Sequence, residues 1–227
     1  KSKKYIKNIK NEKVKKIFNK KKYFKSGRLN QLNAIKRSFL KSKGEIIFLL
    51  DGDDAFLKGK VKYFINIFEK NKNLEFMQDN PIYYYPKKKL KEKRSLRAKK
   101  LIFHTWPYFN PTSTMIFRRN FLKKLLKEIN FSRNKYQKMY FDARAFIYIY
   151  FFSNNYMKSS KFFTIYTQNT TGDTIKNYTS KNFFWWKRRK EYHNFVEDLF
   201  FKKKKKYLKF LYFYLTYLIS WIYQKLN

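Results

Sequence analysis

The amino-acid sequence predicts an α/β domain built on a mostly parallel sheet flanked by helices. Three observations predict it. Helix-like and strand-like segments alternate along the first eighty residues. One strand candidate, Ile46-Ile47-Phe48-Leu49-Leu50, is uniformly apolar, as strands covered on both faces of a parallel sheet are. An acidic block, Asp51-Gly52-Asp53-Asp54, follows it at once, at the strand end where such sheets bind ligands.

The elements follow in order. Tyr5, Ile6 and Ile9 stand at helical spacing in a Lys-rich stretch over residues 1–13, and Val14 to Phe18 suits a strand. Gly27 breaks the chain. Leu29, Leu32, Ile35, Ser38 and Phe39 then recur at three and four residues, an amphipathic helix ending near Gly44. After the acidic block, Val61, Phe64, Ile65 and Phe68 predict a second such helix, and Leu74 to Met77 a strand. Residues 87–100 form a Lys/Arg run that predicts a mobile surface loop. Thr112 to Arg118 reads as a strand, Phe121 to Ile129 as a helix and Asp142 to Phe152 as a strongly apolar helix. Ile165 to Thr167 is a strand candidate before a polar loop at Thr170 to Thr174.

At 227 residues and 44% hydrophobic, the chain suffices for one domain with a real core. We assign residues 1–200 to that domain and 201–227 to a basic, aromatic C-terminal helix. The net charge of +40 would ordinarily indicate a polyanionic partner. Here it is a weak indicator of nucleic acid. Lys, Asn, Tyr, Phe and Ile make up 129 of the 227 residues, the imprint of AT-rich coding, and Lys outnumbers Arg by 45 to 10. Phosphate-gripping proteins favour the Arg fork. The absence of Cys excludes disulfides, thiolate zinc sites and a Cys nucleophile, and a count of only two His argues against a multi-histidine metal site. Any metal must be held by oxygen. The chain opens on Lys1-Ser2-Lys3-Lys4 without Met, so a preceding segment is expected.

Three of the seven Asp lie within four residues, at 51, 53 and 54. Clustered like charges cost energy that a divalent cation relieves. Mg²⁺ or Mn²⁺ takes hard oxygen ligands, in protein sites commonly one or two carboxylates plus substrate phosphates. Asp51 and Asp53 are the candidate ligands, and the ion would neutralise charge on a departing diphosphate. An acidic Asx-type turn with no ligand is the plainer alternative.

Gly27-Arg28-Leu29-Asn30-Gln31-Leu32-Asn33-Ala34, followed by Gly44-Glu45, the apolar strand and Asp51-Gly52-Asp53-Asp54, resembles the family 2 glycosyltransferases of the GT-A fold in order and spacing. Weaker likeness continues through Pro111 to Arg119, which resembles the family's acceptor-side strand, and Tyr140-Phe141-Asp142, which resembles the segment carrying its general base. The resemblance implies sugar transfer from a nucleotide-sugar donor to a glycan or lipid-linked acceptor, with Mg²⁺ or Mn²⁺. It implies Asp51, Asp53 and Asp54 on nucleotide and metal, Asn33 and Arg28 as donor-side contacts, and Asp142 as acceptor base. It further implies that the family's first strand–helix–strand unit precedes Lys1. Phe141 departs from the pattern, which often has an acidic residue before the base. Independently of the resemblance, Asp142 opens an apolar helix, where a carboxylate also serves as a helix-end charge; as a base it would take a proton from an acceptor hydroxyl.

Two rival readings remain at this level. A haloacid-dehalogenase-type phosphatase also carries Asp-x-Asp after an apolar strand, but Ala55 stands where that family has Thr or Val. A basic nucleic-acid or membrane-binding module would leave the acidic block without a role. Trp185-Trp186-Lys187-Arg188-Arg189 and His193 read as aromatic packing under a basic face or as a sugar or phosphate contact, and His104-Thr105-Trp106 as structural. Lys202 to Lys206 precede an aromatic stretch whose uncharged part, Phe210 to Tyr223, is 14 residues, short of the ~20 that span a bilayer. A terminal core helix and an element lying on an anionic membrane are both compatible with it. A cytoplasmic protein, peripheral at the inner face of the cell membrane, is the expected location.

Overall fold

A computed structural model describes residue 17 and residues 26–93, 110–130, 135–137, 139–168, 183–202 and 218. The predictions for residues 1–13, Val14 to Phe18, His104-Thr105-Trp106, Thr170 to Thr174 and the tail beyond Lys202 lie outside the described residues, Ile17 and Leu218 apart.

Five helices and six strands make up the described domain: α1 (Gly27–Lys41), β1 (Ile46–Phe48), β2 (Ala55–Phe56), α2 (Lys60–Lys70), β3 (Phe76–Tyr85), β4 (Leu90–Lys93), β5 (Met115–Arg118), α3 (Arg119–Asn130), α4 (Phe141–Phe152), β6 (Tyr156–Thr167) and α5 (Phe183–Lys202). The strands form one sheet in the order β1-β5-β3-β6-β2, with β4 paired to β3.

The period-two alternation of β side chains splits the core into two layers. Phe76, Met115 and Phe117 face a large cluster built with Leu32 and Phe39 of α1, Leu122, Leu125 and Ile129 of α3, much of α4, and Phe195, Val196 and Leu199 of α5. Met77 and Ile116, one residue out of phase, face Phe64, Phe68 and Leu74 on the α2 side. Helices therefore cover both faces, and the α/β class holds. Phe117 lies at the centre, its ring 4.9 Å from Phe76 and 6.4 Å from Phe141.

The sheet is mixed, which corrects the expectation of a mostly parallel one. β3 and β6 run parallel. The β1–β5, β2–β6, β3–β4 and β3–β5 pairs are antiparallel. Alternating element types cannot specify strand direction. β5 follows directly on a 3-10 turn and inserts between β1 and β3, antiparallel to both. The Ile46 to Leu50 run is likewise not the central parallel strand its composition suggests. Its strand portion is three residues long, half-buried, antiparallel to β5, and outermost in the described sheet. Its apolar character has a definite cause all the same: Ile47 and Leu49 pack on the larger cluster, Ile46 and Phe48 on the smaller.

Other boundaries shift. β3 runs on from the predicted Leu74 to Met77 segment to Tyr85, and tolerates Pro81 because its register with β6 slips there. Part of the predicted basic loop is β4, the return strand of a hairpin. Thr112 to Thr114 form a 3-10 turn ahead of β5. β6 is four times the predicted length. Helix α2 begins after Gly59 at φ 90°, where a side chain would be strained. Against α5, Tyr136 donates to Asp198 (2.5 Å), and the buried Arg144 donates to the Tyr136 carbonyl and lies under the Phe195 ring. His193 is fully buried, which supports its structural reading.

Candidate functional site

The acidic block is a tight turn leaving the C-terminal end of β1, closed by the Asp54 amide donating to the Asp51 carbonyl (3.2 Å). Its three carboxylates part company. Asp53 is exposed. Asp51 is half-buried and accepts the Gln31 side-chain amide at 3.1 and 3.3 Å. Asp54 turns inward, accepting the Ser113 hydroxyl at 2.6 Å and the Thr167 amide at 2.9 Å. Ser113 holds the turn from both sides, because its oxygen also accepts the Asp51 amide at 2.9 Å.

This arrangement raises the proton affinity of the two inner carboxyls. Burial pushes Asp51 up from 3.8, opposed by the Gln31 bond and reinforced by the charge of Asp53. Asp54 is pushed up to about 6, chiefly by burial, against the pull of the Ser113 and Thr167 bonds, with Asp53 and Asp51 adding repulsion. The turn thus concentrates negative charge that is costly to keep.

A cleft of about 500 Å³ opens between α1 and β1 and ends at the turn, lined by Gln31, Ile35, Ile47, Leu49, Asp51 and Thr112 among others. Its walls are mainly apolar, with Gln31, Asp51 and Thr112 at one end and Ser38 and Ser42 towards the C-terminal end of α1.

Asp142 is not among the residues lining the cleft. It lies in the first turn of α4, half-buried, with its Oδ1 accepting the Ala143 amide at 2.7 Å. The link to the acidic turn is Tyr166, near the end of β6. Burial first, and then the charges of both Asp142 and Asp54, push its phenol well above the usual tyrosine range. Arg28 stacks over Tyr140, the residue that precedes α4, 4.7 Å from its ring centre. It therefore tethers α1 beside Asp142. Asn33 is half-buried, two residues beyond Gln31 and about 200° round the helix from it. It is not among the residues lining the cleft.

Sequence reading missed Gln31, Ser113, Tyr166 and Thr167. Gln31 lay inside the quoted Gly27 to Ala34 run, one turn from Arg28, and Ser113 inside Pro111 to Arg119. A Ser/Thr run ahead of an apolar strand was the available signal. For Tyr166 and Thr167 no local signal existed.

Among the described residues, no group of three or more His, Cys, Asp or Glu converges to hold a metal ion. None of the described helices is long and apolar enough to cross a membrane. No protein-family model and no curated protein matches the chain.

Proposed function

We propose that this chain is a GT-A-like glycosyltransferase domain that moves a sugar from a nucleotide-sugar donor to a glycan or lipid-linked acceptor at the inner face of the cell membrane. The observation that carries the reading is the acidic turn at the end of β1, braced by Gln31, Ser113 and Thr167 and opening onto the cleft beside α1.

The donor set fits Mg²⁺ or Mn²⁺. Both oxygens of Asp54 are engaged inside the protein; Asp53 is exposed to solvent, and each Asp51 oxygen keeps a lone pair beyond its bond to Gln31. Two carboxylates with the remaining positions left to phosphate and water is the usual provision for these ions. Asp51 and Asp53 would hold the ion, which when bound neutralises charge on the departing diphosphate. Asp54 and Ser113 keep the turn in place, so little reorganisation is needed as the leaving group forms. The cleft beside α1 takes the donor.

Asp142 takes the proton from the acceptor hydroxyl as that oxygen bonds to the anomeric carbon and the bond to the diphosphate breaks. A single base on the acceptor side fits an inverting displacement. Arg28 and Tyr140 hold α1 against the first turn of α4, fixing the separation of base and acidic turn.

The test is release of nucleoside diphosphate from a panel of nucleotide-sugars with and without Mn²⁺. Metal-dependent release from one donor supports the reading. Equal turnover in excess chelator, or release of inorganic phosphate from simple phosphate esters, overturns it.

A further inference from the structure

Lys60 is 1% exposed, whereas most of the other described lysines are exposed. Its ammonium uses all three donors inside the protein: Asp79 Oδ1 at 3.0 Å, the Ser113 carbonyl at 2.9 Å and Thr164 Oγ1 at 2.5 Å. It also lies 4.0 Å above the ring centre of Phe56. Asp79, itself 0% exposed, is equally saturated, taking the Thr164 hydroxyl and the Phe163 amide at 2.9 Å each. The network joins the start of α2, the middle of β3, the 3-10 turn and β6.

Buried ion pairs rarely add net stability, since desolvating two charges offsets their attraction and apolar replacements often do as well. Burial pushes Lys60 down and Asp79 up, in keeping with that cost. What the pair does supply is a fixed position for Ser113. The Ser113 carbonyl is anchored by Lys60, while its hydroxyl holds the Asp51 amide and the Asp54 carboxylate.

We propose that Lys60 and Asp79 are positioning residues, whose buried pair fixes the main chain at Ser113 and thereby sets the geometry of the Asp51–Asp54 turn. The mechanical part stands on these contacts alone; its consequence for metal and donor binding rests on the function proposed above.

The test compares the full chain with the double variant Lys60→Met/Asp79→Leu, which removes both charges together and leaves neither buried without its partner. Amide hydrogen exchange at Asp51 and Thr167 reads the turn, and exchange at Ile116 and Phe117 reads the core. We expect the first pair to exchange about tenfold faster or more while the second is unchanged, a local opening a merely structural pair would not produce. Wild-type exchange at Asp51 and Thr167 in the folded variant overturns the proposal. If the double variant does not fold, Thr164→Val, which removes the hydroxyl shared by Lys60 and Asp79, is read in the same way, and unchanged exchange there overturns it as well. Mn²⁺ titration in the presence of a nucleoside diphosphate forms the second arm. A loosened turn with weaker Mn²⁺ binding supports both readings. A loosened turn in a protein whose wild type binds no Mn²⁺ keeps the positioning role and removes the glycosyltransferase reading.

Discussion

Replacing Ser113 by Ala should cost stability in a pH-dependent way, and the structure sets both size and sign. The hydroxyl is fully buried and makes two bonds, accepting the Asp51 amide at 2.9 Å and donating to Asp54 at 2.6 Å. With Asp54 ionised, losing a bond to a charged group costs about 1.5–3 kcal/mol, and stranding the Asp51 amide adds about 1 kcal/mol or more. The sum is about 2.5–4 kcal/mol at pH 8. At pH 5 the Asp54 carboxyl, pushed up to about 6, is mostly protonated. Its bond is then between neutral partners, and the cost falls to about 2 kcal/mol. The sign follows from linkage. A carboxyl raised from 3.8 to about 6 by folding favours the native state when protonated, and that contribution is lost as pH rises through this window. Removing Ser113 raises Asp54 further and extends the loss to higher pH. The gap between wild type and variant should therefore widen from pH 5 to pH 8 by about 1–2 kcal/mol, read by urea denaturation with the slope m held common. Equal gaps at the two pH values, or a cost under about 0.5 kcal/mol at pH 8, would refute the bracing role of Ser113.

Asp53→Asn should leave the unfolding midpoint within about 0.5 kcal/mol of wild type, because the side chain is exposed. It should lower metal-dependent turnover about a hundredfold; turnover retained with intact metal dependence would remove Asp53 from the site. Asp142→Asn should reduce kcat by about a hundredfold or more at unchanged KM. A loss of about 0.3–1 kcal/mol of stability with normal kcat would instead mark a helix-end charge. For the segment from Lys202 onward, five contiguous lysines at about 1 kcal/mol each predict that the full chain co-sediments with anionic vesicles and a version ending at Phe201 does so far less. Equal binding by both would assign the attraction to the overall charge of +40.

Helices α1 to α4 were legible because each presents an apolar face to a core, whatever its partners. Leu29, Leu32 and Phe39 of α1 are buried as their spacing predicts. Val61, assigned to the inner face of α2, is 46% exposed, since the face of α2 turned to the sheet is made by Phe64 and Phe68 with Tyr63 and Ile67 packed beside them. The front half of β6 was not legible. Lys158, Ser159, Ser160 and Lys161 carry no apolar alternation, and their strand exists because β3 lies alongside as a hydrogen-bonding template. β4 is similar, a basic stretch folded into a strand by the hairpin with β3.

Local sequence by itself determined the α/β class, the apolar run and the acidic turn at its end, because backbone preference, side-chain period and charge clustering act over a few residues. Only the tertiary structure decided that the sheet is mixed, that Asp53 faces solvent while Asp54 turns inward, and that Gln31, Ser113 and Thr167 brace the turn. Ser113 reaches Asp54 across 59 residues and Thr167 reaches it across 113. Lys60 meets Thr164 across 104. Such pairings depend on where strands of different parts of the chain come to lie side by side, and no periodicity within one segment encodes the direction or register of its neighbour.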